Sequence, residues 1–235
     1  MKKFLTLIIT CFLSLSLVGC SNSKNNDDIL TFFDALGNTL NLKSAQISGT
    51  LDMKDSKSNI DAQILQKDEL QVSSSIGLVA GKNVQNNFLN FYIKDGKTYL
   101  NSMGTKTQST VDKIGLKKNS KLNAYNPFLD LTDAQLCELF DSSKKENDTY
   151  TFKVNTSKLA TLLDNMGSIK LEDATLVATI KNEKISHMIL SFTGTQTVDD
   201  ANADIDVSIE LSIKKLNKIN FPNDLDNYKN ETAED

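Results

Sequence analysis

The N-terminal segment ends in a residue that can do covalent chemistry, the thiol of Cys20. Lys2 and Lys3 precede an uncharged apolar run over residues 4–18, and Gly19 separates that run from the cysteine. A membrane-spanning helix needs about 20 apolar residues to cross roughly 30 Å of hydrocarbon, and this run is shorter, so the layout is typical of a signal peptide. A sulfur nucleophile after a small glycine indicates a thiol that is modified and a preceding peptide bond that is cleaved.

The motif Leu17-Val18-Gly19-Cys20 resembles the lipobox of bacterial lipoproteins. The resemblance implies a signal peptide over residues 1–19 and a mature chain that begins at Cys20, which carries a diacylglyceryl group and acyl chains such as palmitate. Two or more acyl chains hold a protein stably on a bilayer, because each buried methylene contributes about 0.8 kcal/mol. We therefore expect a lipid anchor on the extracytoplasmic face of the cell membrane, with residues 20–27 as lipidated cysteine and flexible tether. An ordinary cleavage site and an uncleaved anchor are the alternatives.

The composition of the mature chain argues against nucleic acid as a partner. Removal of residues 1–19 takes away Lys2 and Lys3 and lowers the formal charge from −4 to −6. All basic residues are lysines, so the forked guanidinium that binds phosphate in a bidentate manner is missing. Cys11 leaves with the signal peptide and Cys20 is acylated, so only Cys137 remains and no disulfide can form within the mature chain.

Residues suited to catalysis are few. His187 is the only histidine and lies in a predicted strand, where a solvated side chain is the more common outcome than a catalytic base. Cys137 shares a predicted helix face with Leu136 and Phe140, which favours a buried small apolar residue over a reactive thiol. We expect no enzymatic activity and no cofactor.

One acidic segment resembles half of a calcium-binding loop. Asp200, Asn202 and Asp204 have the spacing of the first ligands, but Ile205 replaces the turn glycine and Leu211 stands where the bidentate glutamate belongs. A solvated hairpin turn is therefore favoured, and no metal site is predicted.

Hydrophobic periodicity predicts one helix, a series of strands, two more helices and further strands. Asn26 or Asp27 is predicted to cap the first turn of the first helix. The next two helices follow a Thr132/Gln135 capping box and pass through residues 159–166. Strands are predicted around residues 47–53, 60–64, 70–72, 88–93, 98–100, 150–154, 174–180, 184–193 and 205–213. The dipeptide Asp95-Gly96 predicts a tight hairpin turn between the strands at 88–93 and 98–100. Residues 102–131 read as a long loop with at most a short helix near Val111. Strands that alternate apolar and polar residues have one face in solvent, as expected of antiparallel sheets. We therefore predict one α+β domain over residues 28–230. Residues 231–235 are predicted to be a disordered tail.

This order of elements is similar to that of the LolA-like and LppX/LprG-like lipoproteins. The segments 92–100 (YIKDGKTYL) and 221–228 (FPNDLDNY) are similar to what such lipoproteins carry, although neither is a catalytic signature. The resemblance implies a curved antiparallel sheet, a half-barrel with helices packed on its concave face, which in some members holds acyl chains.

From this resemblance we expect a non-catalytic lipoprotein that binds or carries a lipid or another apolar ligand. The residues predicted to line the ligand site are Phe32, Phe33, Leu36, Leu51, Phe91, Met188, Leu190, Phe192 and Leu211. Periodicity does not distinguish such a cavity from a core in which these side chains pack together. The alternative function is a protein-interaction or envelope-structural module that recruits an envelope protein and has no cavity.

The prediction at Cys20 can be tested directly. Replacing Cys20 with alanine removes the sulfur that takes the lipid, so the protein is expected in the medium or as an uncleaved precursor. Membrane fractionation and intact-mass measurement check this. A cleaved Cys20→Ala product that stays on the membrane would contradict it.

Overall fold

The computed structural model describes residues 25–54, 56–158, 169–198 and 201–230. Its helices are α1 Asn26–Leu40 and α2 Asp133–Cys137, and shorter 3-10 turns lie at Val111–Ile114, Leu122–Tyr125 and Leu225–Asn227. Its strands are β1 Ser44–Met53, β2 Ser56–Gln66, β3 Leu70–Ala80, β4 Asn83–Lys94, β5 Lys97–Ser102, β6 Thr105–Thr110, β7 Phe140–Glu146, β8 Thr149–Val154, β9 Ile169–Lys181, β10 Lys184–Val198, β11 Ala201–Lys214 and β12 Lys229–Asn230. The sheet is mostly antiparallel, curved and unclosed, with few helices, which confirms the predicted fold class.

The chain divides into two compact units. Unit 1 comprises Met1–Leu40, Asp52–Lys54 and Tyr125–Leu211, and unit 2 comprises Asn41–Leu51, Asp55–Ala124 and Ser212–Asp235. The prediction of a single domain over residues 28–230 stays a prediction.

Unit 2 is built from consecutive hairpins. β2 pairs with β3, β3 with β4, β4 with β5 and β5 with β6, each antiparallel. The turn between β4 and β5 has positive φ at both central residues, Asp95 (54°) and Gly96 (75°), which is the backbone of a tight hairpin turn. The Asp95-Gly96 pair therefore explains why the sequence alone predicts this hairpin.

A C-terminal segment packs on one face of unit 2. Tyr228 lies edge-on to Tyr99 with ring centroids 5.6 Å apart, and Leu225 joins the same buried cluster. β12 then pairs with β6 in parallel, and the Gln108 side chain donates a hydrogen bond to the Tyr228 carbonyl. The segment thereby supplies backbone partners to β6, which would otherwise present an unpaired edge.

Unit 1 is a sheet covered by α1. β7 pairs with β8, β8 with β9 and β9 with β10, and α1 contacts β7, β9 and β10. Its core contains Phe32 from the helix and Phe140 and Phe152 from the strands, all three fully buried. The Phe140 and Phe152 ring centroids are 4.6 Å apart, and Phe32 is 6.0 Å and 5.4 Å from them.

A glycine shapes the long strand β10. The pairing of β10 with β9 shifts register between Thr193 and Gly194. A Cβ atom at Gly194 would overlap the backbone carbonyl of Lys170, so the neighbouring strands approach too closely there for any side chain.

Several predicted elements need correction. The cap of α1 is Asn25, whose side-chain oxygen accepts from the Asp27 amide, and not Asn26 or Asp27. The helix after Thr132 keeps its capping box but ends at Cys137, and Phe140 begins β7, which was not predicted. The long loop over residues 102–131 contains strand β6 as well as the 3-10 turn at Val111.

The remaining predicted elements compare with the structure as follows. The other predicted strands are present, most of them longer than the alternation indicated. The predicted helix over residues 159–166 and the tail over residues 231–235 lie outside the described residues.

The aromatic core of unit 1 makes a stability prediction. Phe152→Ala removes a ring that is fully buried against Phe140, and we expect the free energy of unfolding to fall by about 3–5 kcal/mol. Urea unfolding of the purified protein measures this change. Val84→Ala is the matched control, because the Val84 side chain is 62% exposed, and should stay within about 0.5 kcal/mol of the parent. Equal losses in the two variants would contradict the assignment of the core.

Candidate functional site

The predicted lipidation site lies outside the described residues, together with Gly19 and most of the tether. The first described residue, Asn25, is fixed to unit 1. Its backbone amide donates to the Ser143 hydroxyl at 2.9 Å, and that hydroxyl donates to the Asn25 carbonyl at 3.2 Å. The chain therefore enters the fold beside strand β7, five residues after Cys20.

The predicted ligand residues of α1 are buried in unit 1. Phe32, Phe33 and Leu36 are all less than a tenth exposed. The Phe33 ring lies 5.3 Å from that of Phe128 and 5.9 Å from that of Phe140, so it joins the same aromatic cluster as Phe32. The side chains that the helix directs at the sheet are thus in direct contact with other side chains.

The four predicted ligand residues on β10 and β11 also belong to unit 1. Met188 and Leu190 pair with Ala178 and Leu176 of β9, and all four of these are buried. Leu211 is buried as well, whereas Phe192 is half-buried. Met188, Leu190 and Phe192 share one face of β10, and their partners on β9 are apolar too.

The last two predicted ligand residues, Leu51 and Phe91, lie in unit 2. Phe91 pairs with Ser74 of β3 and with Leu100 of β5, so these side chains share one face of the sheet. The opposite face contains Asp61, which accepts a hydrogen bond from the Gln46 side chain of β1 at 3.2 Å. Because side chains alternate along a strand, Leu51 lies on the same face as Phe91.

The register of β2 to β5 places many apolar residues on that face, and we call ten of them the β2–β5 apolar face. They are Ile60, Ala62, Ile64, Val72, Ile76, Leu78, Leu89, Phe91, Ile93 and Leu100. Six of them are only half-buried, namely Ile60, Ile64, Val72, Ile76, Leu78 and Leu100. Among the ten, only Phe91 was predicted from the sequence as a ligand residue. The alternation of Ile60, Ala62 and Ile64 indicated that β2 has an apolar side. The sequence did not show which residues of the other strands lie beside them, because that depends on how the strands pair.

The face changes character at its two ends. Ser58 pairs with Leu78 at one end and Thr98 pairs with Ile93 at the other, and both hydroxyl residues are buried. Ser74 adds one polar residue at the centre of the face, where it pairs with Ala62 and Phe91. A mostly apolar surface with a few polar groups is typical of sites for small apolar ligands.

A separate depression in unit 2 is polar. It has a volume of about 410 Å³ and is lined by Leu65, Lys67, Asp68, Glu69, Gln71 and Lys118. The Glu69 carboxylate accepts from the Gln71 amide at 3.0 Å and pairs with the Lys118 ammonium at 3.0 Å. These interactions hold the pKa of Glu69 below its usual range, with the Gln71 hydrogen bond as the larger cause. Glu69 and Lys118 are therefore already paired within the protein, which makes the depression a weak candidate for ligand binding.

The other residues considered for chemistry have structural surroundings. The Nε2 of His187 lies 3.5 Å from a carboxylate oxygen of Glu210, and both side chains are partly exposed. Cys137 is buried in α2. Asp200 lies outside the described residues, whereas Asn202 and Asp204 belong to strand β11, which begins earlier than predicted. Within the described part of the chain, no group of three or more histidine, cysteine, aspartate or glutamate side chains could hold a metal ion.

The tyrosine cluster beneath the C-terminal segment titrates abnormally. Burial raises the pKa of Tyr228 to about 12, and the neighbouring Tyr92 and Asp224 add to the shift. Burial likewise raises the pKa values of Tyr92 and Tyr99. Asp224 accepts a hydrogen bond from the Lys106 ammonium, which lowers the pKa of its carboxyl group. These shifts come from packing and make no catalytic pair.

Among the described residues, no helix combines the length and the apolar character needed to span a bilayer. No family model matches the sequence, and no curated protein matches it. LprF from Mycobacterium bovis is similar in structure, with a TM-score of 0.45 and 10% identity over 86% of this chain and 99% of that chain. A porin-like protein from Bacteroides uniformis matches with a TM-score of 0.25 and 8% identity over 75% of this chain and 98% of that chain.

The high pKa of Tyr228 predicts a loss of stability in alkali. The folded-state pKa of about 12 exceeds the ordinary value of 10.0, so the stabilisation is complete below pH 10 and is lost as the pH rises from 10 towards 12. Tyr228→Phe should reduce this loss, as measured by urea unfolding at several pH values. Tyr125→Phe, at a side chain that is 37% exposed, should behave like the parent. The same pH dependence in all three proteins would refute the assignment.

Proposed function

We propose that the chain is a lipoprotein on the extracytoplasmic face of the membrane, anchored through diacylglyceryl on Cys20, with a binding and not a catalytic role. We further propose that the β2–β5 apolar face binds the acyl chain of a lipid or a similar apolar molecule. The observation that carries the proposal is that six of the ten apolar side chains on this face are only half-buried. Such a face leaves apolar area that a ligand can cover.

The dimensions of the β2–β5 apolar face suit an extended chain molecule. From Val72 to Leu78 along β3 the face extends about 20 Å, at roughly 3.3 Å per residue. Across the four strands it extends about 14 Å, at roughly 4.8 Å per strand spacing. An acyl chain that lies along the strands would contact isoleucine, valine and leucine side chains over its length, and each methylene removed from water contributes about 0.8 kcal/mol.

The attachment of the chain to unit 1 supports the anchoring part of the proposal. Asn25 is fixed by two hydrogen bonds to Ser143, and it lies five positions after Cys20 in the sequence. At no more than about 3.6 Å per residue, this distance is at most about 18 Å. A protein anchored in this way stays beside the bilayer, where acyl chains are abundant.

A pair of adjacent residues on β2 tests the ligand site. Ile60 lies on the β2–β5 apolar face, and Asn59 is exposed on the opposite side of the same strand. Ile60→Glu places a carboxylate where the ligand would lie, and we expect at least tenfold weaker binding of a fluorescent fatty acid to the chain without residues 1–20. Asn59→Glu adds the same charge and should bind like the parent.

Native mass spectrometry of the same protein provides a second readout. Lipid that co-purifies with the parent and with Asn59→Glu, but not with Ile60→Glu, supports the proposal. Equal binding by both variants would place the ligand elsewhere. A protein that is consistently empty, binds no fatty acid and crosslinks to an envelope protein would reject lipid binding in favour of a protein-interaction module.

A further inference from the structure

A short loop of unit 1 presents apolar side chains to solvent. Among the described residues, the large apolar side chains with high exposure are Met53, Val84, Met103, Tyr125 and Leu129. Only Tyr125 and Leu129 lie in the same segment, with exposures of 37% and 53%. Pro127, between them, is exposed as well. We call residues 125–129 the apolar loop.

The apolar loop is held in place by a buried aromatic residue. Phe128 is 5% exposed, and its ring lies 5.3 Å from that of Phe33 on α1. Phe33 in turn contacts Phe140, the first residue of β7. Because the loop is tied to the core through Phe128, its exposed neighbours keep a fixed direction.

The apolar loop is close to the point where the chain enters the fold. Asn25 is bonded to Ser143 of β7, and Phe33 is eight residues further along α1, or about 12 Å at 1.5 Å per residue. The segment from Cys20 to Asn25 reaches at most about 18 Å. Once Cys20 carries acyl chains, the loop is therefore within reach of the leaflet that holds them.

We propose that the apolar loop inserts Tyr125 and Leu129 into the interfacial region of the leaflet that holds the acyl chains of Cys20. This inference rests on the proposed lipidation. Tyrosine and leucine suit the boundary between headgroups and acyl chains, because one keeps its hydroxyl in water and the other buries apolar area. The exposed residues Asp130 and Asp133 follow the loop, so apolar burial and not attraction to anionic headgroups drives the contact.

The test uses the full lipidated chain in phosphatidylcholine vesicles, with an environment-sensitive fluorophore on Leu129→Cys and Cys137 replaced by alanine. The control is Lys181→Cys in the same background. Lys181 is exposed and lies next to the turn at Glu183, whose carbonyl accepts a hydrogen bond from the Asn38 side chain. Asn38 is 13 residues from Asn25 along α1, or about 20 Å, so this control position is near the other end of the helix. We expect a blue shift at position 129, and at least twofold stronger quenching there than at position 181 by lipids with spin labels near the headgroup.

Intact mass, measured first on the same sample, separates the two levels of the argument. An absent acyl mass contradicts the proposed anchor. A confirmed acyl mass with equal quenching at both positions, or with no quenching at position 129, overturns the loop contact alone. Addition of phosphatidylglycerol should leave the quenching ratio unchanged, and a severalfold increase would overturn the apolar mechanism.

Discussion

The strand register of unit 2 is the constraint on which its chemistry depends. Pairs such as Ile60 with Ile76, and Phe91 with Leu100, bring apolar side chains from distant parts of the sequence onto one face. A shift of one residue in the register of two paired strands would turn all the apolar side chains of one strand to the opposite face, where the Gln46 side chain donates a hydrogen bond to Asp61. The tight turn at Asp95 and Gly96 fixes one of these registers.

The apolar faces of the two units are covered to different extents. In unit 1, α1 lies across the strands, and Phe32 meets Phe140 and Phe152 at distances typical of packed aromatic rings. In unit 2, the C-terminal segment packs on the side of Tyr92 and Tyr99, which is opposite to the β2–β5 apolar face. The same alternation of residues therefore gives a filled core in one unit and a half-buried face in the other.

The sequence predicted the elements whose signals are local. The period of α1, the alternation of β9 to β11 and the Asp95-Gly96 turn each act within a few residues, and the structure confirms them. Strands β6 and β7 were missed because their side chains are mostly polar or charged, as in Ser142 to Glu146, and strand pairing alone supports them. The helix after Thr132 was extended too far because a capping box marks the start of a helix but not its end.

The candidate ligand face was harder to predict for the same reason. Which apolar residues meet is decided by pairing across the sheet, so Ile76, Leu78 and Leu100 could not be assigned to a common face with Phe91 before the register was known. The aromatic residues Phe32 and Phe33 attracted attention because of their size, yet they pack against one another with ring centroids 5.2 Å apart. Large side chains are good indicators of a core, whereas an open apolar face is indicated by medium-sized residues that remain half-buried.

The half-buried apolar face also gives a physical reason for the proposed anchor. On a freely diffusing protein such a face favours self-association, since apolar area is covered by whatever apolar surface is encountered first. With the proposed anchor on Cys20, a tether of at most about 18 Å confines the protein to a thin layer beside the bilayer and raises the effective concentration of acyl chains around it. Under the proposed function, lipid then competes well against a second copy of the chain for the β2–β5 apolar face. Under the proposed function, anchor and face are two parts of one arrangement, because the proposed anchor supplies surroundings in which an incompletely covered sheet is stable.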